Sequence, residues 1–305
     1  MKNKCLWCII AVTGLTDVAS GQQRQVIVRP DYPYVPAFIS TTNSPGHTRL
    51  FVFPLRGESS IIPVRTASAP FAYSPDGKAL YGECTPDPDD NTKVALCRIE
   101  LKTGIATPLP DSIGLYALNL AISPYEDRIL VSGLLRRDKD IRGLFELTLT
   151  TGKIRVILLQ SEPSIRSAWS HLSIGPDAKR AAASHNGRLE VIDLVQSQVK
   201  LLDAGFYIAA WSPDGKWLAA LENGENGGTI LMDAATLQRR RTLGPSELRW
   251  SPDSRYLLGV KSCDSDYGTL EMIDVETGDR LAVESSKCQI NQATAGWVSS
   301  DLLLR

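Results

Sequence analysis

The sequence predicts an all-β fold, a six-bladed β-propeller of four-stranded blades that is closed by its two chain ends. The tripeptide Ser-Pro-Asp occurs at residues 74–76, 212–214 and 251–253, each time between a large aromatic residue and a short apolar run. Degraded copies extend the series at intervals of 49, 52, 37, 39 and 47 residues, and they align Tyr73, Ile122, Ile174, Trp211, Trp250 and Trp297. This period is typical of propeller blades, and no stretch shows a convincing helical period of 3.6 residues.

The turn motif predicts a hairpin in each repeat. Proline presets its own φ for a tight turn, aspartate accepts hydrogen bonds from nearby backbone N–H groups, and the following glycine tolerates a positive φ. The residues after the turn are apolar or alternating, as expected for a strand, at 78–81, 217–221 and 256–260. Each motif therefore predicts an innermost strand, a turn and a second strand.

A second repeat, offset from the first, supplies the two outer strands of each blade. Strand-like segments occupy residues 94–101, 144–149, 189–194, 229–234 and 269–275. Three of these segments run into Thr-Gly turns, and a further β-rich segment follows each turn. Two hairpins in each period make a four-stranded blade.

The two ends of the chain predict a composite blade. Residues 49–64 contain an expected outer hairpin, and residues 294–297 and 301–304 form an expected inner hairpin. Their union closes the ring and leaves no open sheet edge, which would otherwise promote aggregation. A seven-bladed alternative stays open, because residues 28–31 resemble a further turn motif and residues 35–41 could be its partner strand.

Three hexapeptides, at residues 73–78, 211–216 and 250–255, resemble the WD40-like repeats of TolB-type β-propellers. The resemblance covers residues 70–300 and implies the propeller fold. It implies less about function, since the same repeat occurs in periplasmic TolB, in the propellers of prolyl oligopeptidase-type peptidases and in other envelope proteins. We expect an isolated propeller, because the sequence leaves too little room for the N-terminal α/β domain of TolB or for a peptidase domain.

The N-terminus has the features of an export signal. A charged start is followed by an apolar run and by a small-residue cleavage site. We therefore expect a signal peptide over residues 1–20, an N-terminal segment over 21–36 and the propeller over 37–305. This organisation predicts a periplasmic or secreted protein, and no other run is long enough to span a bilayer.

The cysteines outside the signal peptide support export. Cys84 and Cys97 lie in neighbouring strands of one predicted blade, and Cys263 and Cys288 bracket the outer part of another. We expect disulfide bonds between Cys84 and Cys97 and between Cys263 and Cys288, because an even number of cysteines paired within blades suits an oxidising compartment.

Motifs that carry chemistry are scarce. The sequence contains no Gly-x-Ser-x-Gly elbow, no His-Glu-x-x-His, no phosphate-binding glycine loop and no spaced cysteine and histidine metal set. We therefore expect no catalytic residues, no cofactor and no bound metal. The formal charge of −1 gives no electrostatic basis for nucleic-acid binding.

One candidate site comes from the register of the innermost strands. The residues three positions before the aligned ones should face one end of the central channel, and Asn119, His171 and Glu247 are among them. Together with Tyr207 they could form a ligand or metal site, as in six-bladed lactonase-type enzymes, although polar residues also line wet channels without binding anything. We expect the three aligned tryptophans to pack between neighbouring blades.

Two classes of function remain. The first is an exported, non-enzymatic propeller, expected as a monomer, that acts in protein–protein interaction or as an envelope scaffold with an unidentified protein partner. The alternative is a metal-dependent, lactonase-like hydrolase or small-ligand binder that uses the tunnel mouth. The absence of a recognisable catalytic set favours the first class.

Overall fold

The protein is a β-propeller of four-stranded antiparallel sheets, as the sequence predicts. Its structure, a computed structural model, describes residues 32–41, 48–52, 60–64, 67–86, 93–136, 139–161, 168–202, 205–222, 228–244, 249–264, 267–287 and 294–303. Within these residues the strands assemble into six sheets of four strands each.

Five sheets are each built from four consecutive strands, of which the first lies at the channel and the fourth on the outside. Sheet 1 contains β4 (Ala67–Tyr73), β5 (Ala79–Cys84), β6 (Ala95–Glu100) and β7 (Ala106–Pro108). Sheet 2 contains β8 (Leu115–Ile122), β9 (Arg128–Arg136), β10 (Asp140–Thr148) and β11 (Ile154–Leu159). Sheet 3 contains β12 (Ser170–Ile174), β13 (Arg180–His185), β14 (Arg188–Asp193) and β15 (Gln198–Leu201). Sheet 4 contains β16 (Phe206–Trp211), β17 (Trp217–Glu222), β18 (Thr229–Asp233) and β19 (Arg239–Gly244). Sheet 5 contains β20 (Arg249–Trp250), β21 (Tyr256–Asp264), β22 (Tyr267–Asp274) and β23 (Arg280–Lys287).

The closing sheet joins the two ends of the chain. Its order from the channel outward is β24 (Thr294–Ser299), β1 (Tyr34–Thr41), β2 (Thr48–Val52) and β3 (Ser60–Val64). The first and last strands of the series are antiparallel, with Tyr34 opposite Ser299 and Ile39 opposite Thr294.

This closure corrects one expectation. Residues 301–304 were expected to be the second strand of the closing sheet, but Ser300–Leu303 form a 3-10 turn and β1 takes that place. Six residues of β1 pair with β24, more than a four-residue strand could offer. The strand considered as part of a seventh blade therefore belongs to the closing sheet, and the motif at residues 28–31 lies outside the described residues.

The recurrent turn motif is held by its own side chains. In the first copy, Ser74 Oγ donates to Asp76 Oδ1 at 2.6 Å and accepts from the N–H of Ala79 at 2.9 Å. Gly77 closes the turn with a φ of 68°. The same pattern holds in two further copies, which start at Ser212 and Ser251. The Ser-Pro-Asp motif therefore has a structural role, because its side chains hold the same turn in each copy.

The innermost strands contact one another in a circle, and β24 contacts both β20 and β4. At the closure the N–H of Ser299 donates to the carbonyl of Gly77 at 2.9 Å. Nearby, the ring of Tyr73 lies against Gly296, where a Cβ would overlap the ring. The two ends of the propeller are therefore fitted to each other by backbone contact.

The hydrophobic cores lie between adjacent sheets. One core cluster joins Val35 and Val298 of the closing sheet to Leu80 and Ile99 of sheet 1. Burial of apolar side chains between sheets is the main stabilising contribution in such a fold. The composite sheet is therefore packed into the ring by the same kind of contact as the other sheets.

The predicted bond between Cys84 and Cys97 is present, with the two Cα atoms 5.8 Å apart on β5 and β6. The second predicted pair stays a prediction, because Cys288 lies outside the described residues. The backbone of Cys263 on β21 is opposite Gly268 on β22, and Gly268 is opposite Ser286 on β23. Strand β22 therefore lies between Cys263 and β23. Non-reducing peptide mapping tests whether Cys263 and Cys288 are nevertheless joined by a disulfide bond.

Within the described part of the chain, no helix is long and apolar enough to cross a membrane.

Candidate functional site

The predicted tunnel-mouth residues lie at irregularities in the innermost strands. The register shifts between Ala117 and Asn119 in β8, between Ser170 and Ser173 in β12, and between Phe206 and Ile208 in β16. Such shifts are bulges, which re-aim side chains and often lie beside functional sites.

Asn119, His171 and Tyr207 all lie at these bulges, in three strands that are neighbours around the channel. The structure therefore places three of the four predicted positions at corresponding points of adjacent sheets. The side chains of Asn119 and His171 are half-buried. Glu247 lies outside the described residues, so its place relative to the other three stays a prediction.

His171 is the one histidine of this set of four residues. Its φ of 50° is in the left-handed region, where non-glycine residues are uncommon. Burial, and to a smaller extent the positive charge of Arg249, lower the pKa of His171 to about 4. The imidazole is therefore neutral at physiological pH and can accept a hydrogen bond.

A cavity lies along the part of the same strands that leads into the turns. Its volume is about 420 Å³, within the range usual for small-molecule sites. The lining residues come from all six innermost strands and from the turns that follow them, and they include Tyr73, Leu120, Ile174, Trp211, Trp250 and Trp297. The turn prolines also line it, so the cavity reaches the end of the channel where those turns lie. Asn119 and His171 do not line this cavity.

The three tryptophans pack between neighbouring sheets, as expected, and two of them also donate an indole hydrogen bond to the preceding sheet. Trp250 Nε1 donates to the carbonyl of Ala210 at 2.8 Å, and Trp297 Nε1 donates to the carbonyl of Arg249 at 3.2 Å. Both side chains also line the cavity, which the sequence analysis did not predict. Trp250 and Trp297 therefore both pack between sheets and line the cavity.

Trp211 departs from this pattern. Its indole Nε1 is buried and has no hydrogen-bond partner, whereas its backbone N–H donates to Ser173 Oγ at 3.0 Å. The guanidinium of Arg180 lies 4.8 Å from the centre of the ring, a cation–π contact. The ring is therefore fixed, and its N–H is left without an acceptor.

Arg249 gives the cavity its electrostatic character. It is the one charged side chain among the described residues that line the cavity. Burial raises the pKa of the Tyr73 hydroxyl, and the positive charge of Arg249 partly offsets this effect. The same charge reaches His171. The charge of Arg249 therefore lowers the pKa of two groups on different sheets, Tyr73 and His171. In the sequence, the only sign of this role is that Arg249 directly precedes an aligned tryptophan.

The turns around the cavity opening form a surface that we call the turn face, defined by residues 74–77, 123–126, 175–178, 212–215 and 251–254. One pair of neighbouring turns is joined, since the N–H of Asp214 donates to Ser254 Oγ at 2.9 Å. Tyr32, which lies before β1, donates its hydroxyl to Asp253 Oδ1 at 2.7 Å. On this face, Tyr125 is 69 % exposed. A large aromatic side chain is thus presented to solvent beside the opening.

A second polar cluster lies away from this cavity, in sheet 3. The buried carboxylate of Glu190 accepts from Trp169 Nε1 at 2.8 Å and contacts His185 Nδ1 at 2.9 Å. The rings of Trp169 and His185 are stacked at 4.6 Å. His185 is therefore part of a side-chain network. Within the described residues, no group of three or more histidine, cysteine, aspartate or glutamate side chains is placed to hold a metal ion.

Sheets of four strands around a central, side-chain-lined channel define a β-propeller, and solved structures of TolB proteins have the same fold. TolB from Acinetobacter baumannii superposes with a TM-score of 0.63 at 16 % identity, over 87 % of this chain and 66 % of that chain. This chain thus spans just under two thirds of that TolB. A putative TolB from Agrobacterium tumefaciens gives a TM-score of 0.52 at 15 % identity, over 88 % and 98 % of the two chains.

The same fold occurs in proteins with other names. A putative 6-phosphogluconolactonase from Bacteroides fragilis superposes with a TM-score of 0.52 at 15 % identity, over 90 % of this chain and all of that chain. No protein-family model and no curated protein matches the sequence. These identities establish the fold and leave function to be argued from the site.

Proposed function

We propose that this protein is an exported, non-enzymatic, six-bladed propeller that recognises a protein partner through the turn face. The observation that carries the proposal is the exposed ring of Tyr125 in a turn beside the cavity opening. Tyrosine, tryptophan and arginine are enriched among the residues that dominate binding energy at protein interfaces. Here Tyr125 lies beside an opening walled by tryptophans and Arg249.

Three further points support the proposal. The six four-stranded sheets and the contact of β24 with β4 suit a closed six-bladed ring, which is a rigid platform for surface turns. The bond between Cys84 and Cys97 suits an oxidising compartment. The N-terminal 20 residues have the composition of an export signal.

The test compares two variants with equally exposed side chains. Tyr125 and Leu159 are both 69 % exposed, but Leu159 lies on the outermost strand β11, away from the turn face. The protein and its Y125A and L159A variants are used as bait in envelope extracts. We expect a captured partner to be lost with Y125A and retained with L159A, with unchanged melting temperatures. Equal capture by both variants contradicts recognition through this face.

The second candidate is a metal-dependent, lactonase-like hydrolase or small-ligand binder at the bulge end of the channel. It is favoured by the placement of Asn119, His171 and Tyr207 in adjacent strands and by the neutral imidazole of His171. The described residues do not by themselves supply three metal ligands, so this candidate depends on Glu247. Metal-dependent turnover of lactone or ester substrates that is abolished by N119A and H171A would establish it and displace the recognition proposal.

A further inference from the structure

His171 has a backbone conformation that neighbouring groups must support. Its φ of 50° is in the left-handed region, and the residue lies within the register shift of β12. Strain of this kind persists only where the surrounding structure holds it, and it is common at binding sites. The imidazole makes no hydrogen bond within the described part of the chain, so the support has to come from another residue.

A buried glutamate holds the residue two positions before His171. Trp169 Nε1 donates to Glu190 Oε2 at 2.8 Å, and both side chains are buried. Glu190 belongs to β14 and Trp169 directly precedes β12, so this hydrogen bond spans β13. His185 of β13 stacks on the Trp169 ring at 4.6 Å and contacts the other carboxylate oxygen of Glu190. Trp169 is therefore fixed by one hydrogen bond and one ring contact.

The buried carboxylate of Glu190 calls for an explanation of its own. Burial of a charge is unfavourable unless the charge is paired and hydrogen-bonded, and well-packed apolar residues often stabilise a protein as much as a buried ion pair does. Stability alone therefore gives little reason for a glutamate at this position. A role in holding Trp169, and with it the strained segment that follows, provides one.

A glutamate makes a corresponding contact at the neighbouring bulge. Glu83 Oε1 accepts from the N–H of Ala117 at 2.5 Å, and Ala117 lies two residues before Asn119. Glu83 is on β5 of sheet 1 and Ala117 on β8 of sheet 2. In two adjacent sheets, a glutamate thus holds the residue two positions before the polar residue at the bulge, which links the contact to the bulges rather than to one sheet.

We infer that Glu190 is a positioning residue, which through Trp169 holds His171 at the bulge so that its imidazole is kept at that end of the channel, available to a ligand. This inference deepens the second candidate function, a ligand site that includes Asn119 and His171, and it rests on that candidate. Recognition of a protein at the turn face does not depend on it.

The test follows the imidazole of His171 by NMR titration of the ligand-free protein, with H171N to assign the signal. We expect a pKa of about 4 in the original protein. E190A removes the acceptor of the Trp169 hydrogen bond, so the imidazole should gain access to water and its pKa should rise by about one unit or more. E190Q retains an oxygen acceptor and should keep the pKa of the original protein.

The comparison of E190A with E190Q separates position from charge. Both variants lose the negative charge of Glu190, and loss of a nearby negative charge lowers the pKa of a histidine. A rise that is confined to E190A therefore reports the loss of the hydrogen bond. An equal pKa change in both variants, or a pKa near 6.5 in the original protein, overturns the inference.

A second set of variants keeps the test independent of the folding of E190A. W169F removes the indole donor but keeps an aromatic ring, and it should raise the pKa of His171 as E190A does. W217F in sheet 4 and E222A, whose carboxylate pairs with Arg239, are the matched controls and should cause no rise. Circular dichroism confirms that each variant is folded. An unchanged pKa in folded W169F contradicts the assignment, whereas failure to find a ligand would count against the second candidate function alone.

Discussion

Gly296 leaves room for the ring of Tyr73 on the neighbouring innermost strand, and no side chain could replace it without movement. A Cβ at this position would overlap three atoms of the ring. Because Tyr73 belongs to sheet 1 and Gly296 to the closing sheet, this contact is part of the seam that joins the ends of the chain.

We expect G296A to destabilise the protein by about 1–3 kcal/mol, the usual cost of overpacking a filled site. Chemical denaturation measures the change in the free energy of unfolding. G205A is the matched control, since a Cβ on Gly205 has no atom within 4 Å. If both variants unfold at the same denaturant concentration as the original protein, the contact does not contribute to stability.

The lowered pKa of His171 should make the stability of the protein depend on pH. Burial and the charge of Arg249 lower its pKa from 6.5 to about 4 in the folded protein. The unfolded chain therefore binds a proton between pH 6.5 and pH 4 while the folded protein does not. Stability contributed by the neutral imidazole is fully present above pH 6.5 and is lost as the pH falls toward 4.

Replacement by asparagine removes this group while tolerating the positive φ of the position. We expect the free energy of unfolding of H171N to fall less between pH 7 and pH 4.5 than that of the original protein, as measured by urea denaturation. Direct titration of the imidazole by NMR checks the cause. A parallel decline in the two proteins assigns the acid sensitivity to other groups.

At the scale of elements, the bond between Cys84 and Cys97 holds β5 to β6 across the connection between them. The cysteines are 13 residues apart, and closing a loop of this length is worth roughly 3 kcal/mol on the chain-entropy model. We expect C84S/C97S to melt at a lower temperature than the original protein, and dithiothreitol to reproduce the shift in the original protein alone. A melting temperature that is insensitive to both changes would show that the bond adds no stability.

The sequence was most informative where local chemistry repeats. Ser74, Ser212 and Ser251 make the same turn, and their spacing together with the offset repeat of outer strands predicts the four-stranded sheets. It was least informative where pairing is non-local. Residues 301–304 look like a strand, yet β1 provides the longer partner for β24, and that choice depends on contacts between the two ends of the chain.

The bulges explain why the candidate site was only partly predictable. Counting three residues back from an aligned position assumes a regular strand, and the register shifts beside Asn119, His171 and Tyr207 break that regularity. The cavity itself is formed by residues that are far apart in sequence. Arg249 lines this cavity because the innermost strands are arranged in a circle, which the sequence does not show.

At the scale of the whole molecule, the ring depends on its last strand. Deletion of residues 294–305 removes β24, exposes the inner edge of β1 and uncovers the ring of Tyr73. We expect the truncated protein to aggregate or to melt at a much lower temperature than the original protein, because the loss of several kcal/mol is comparable to the whole stability of a domain.

Size-exclusion chromatography measures aggregation, and thermal denaturation measures the melting temperature. Deletion of residues 304–305 alone, after the 3-10 turn, is the control, and an unchanged melt of the longer deletion would refute closure by β24.

The pairing of β1 with β24 also sets the order of events when the chain is made. A ribosome delivers β1, β2 and β3 first, but the strand that lies between them and the channel is complete only when residue 299 has been synthesised. Until then one edge of β1 is unpaired and open to other chains, a hazard for any growing polypeptide. The ring is therefore finished after translation of its last strand, and a chaperone that shields this chain would have to protect its earliest strands for the longest time.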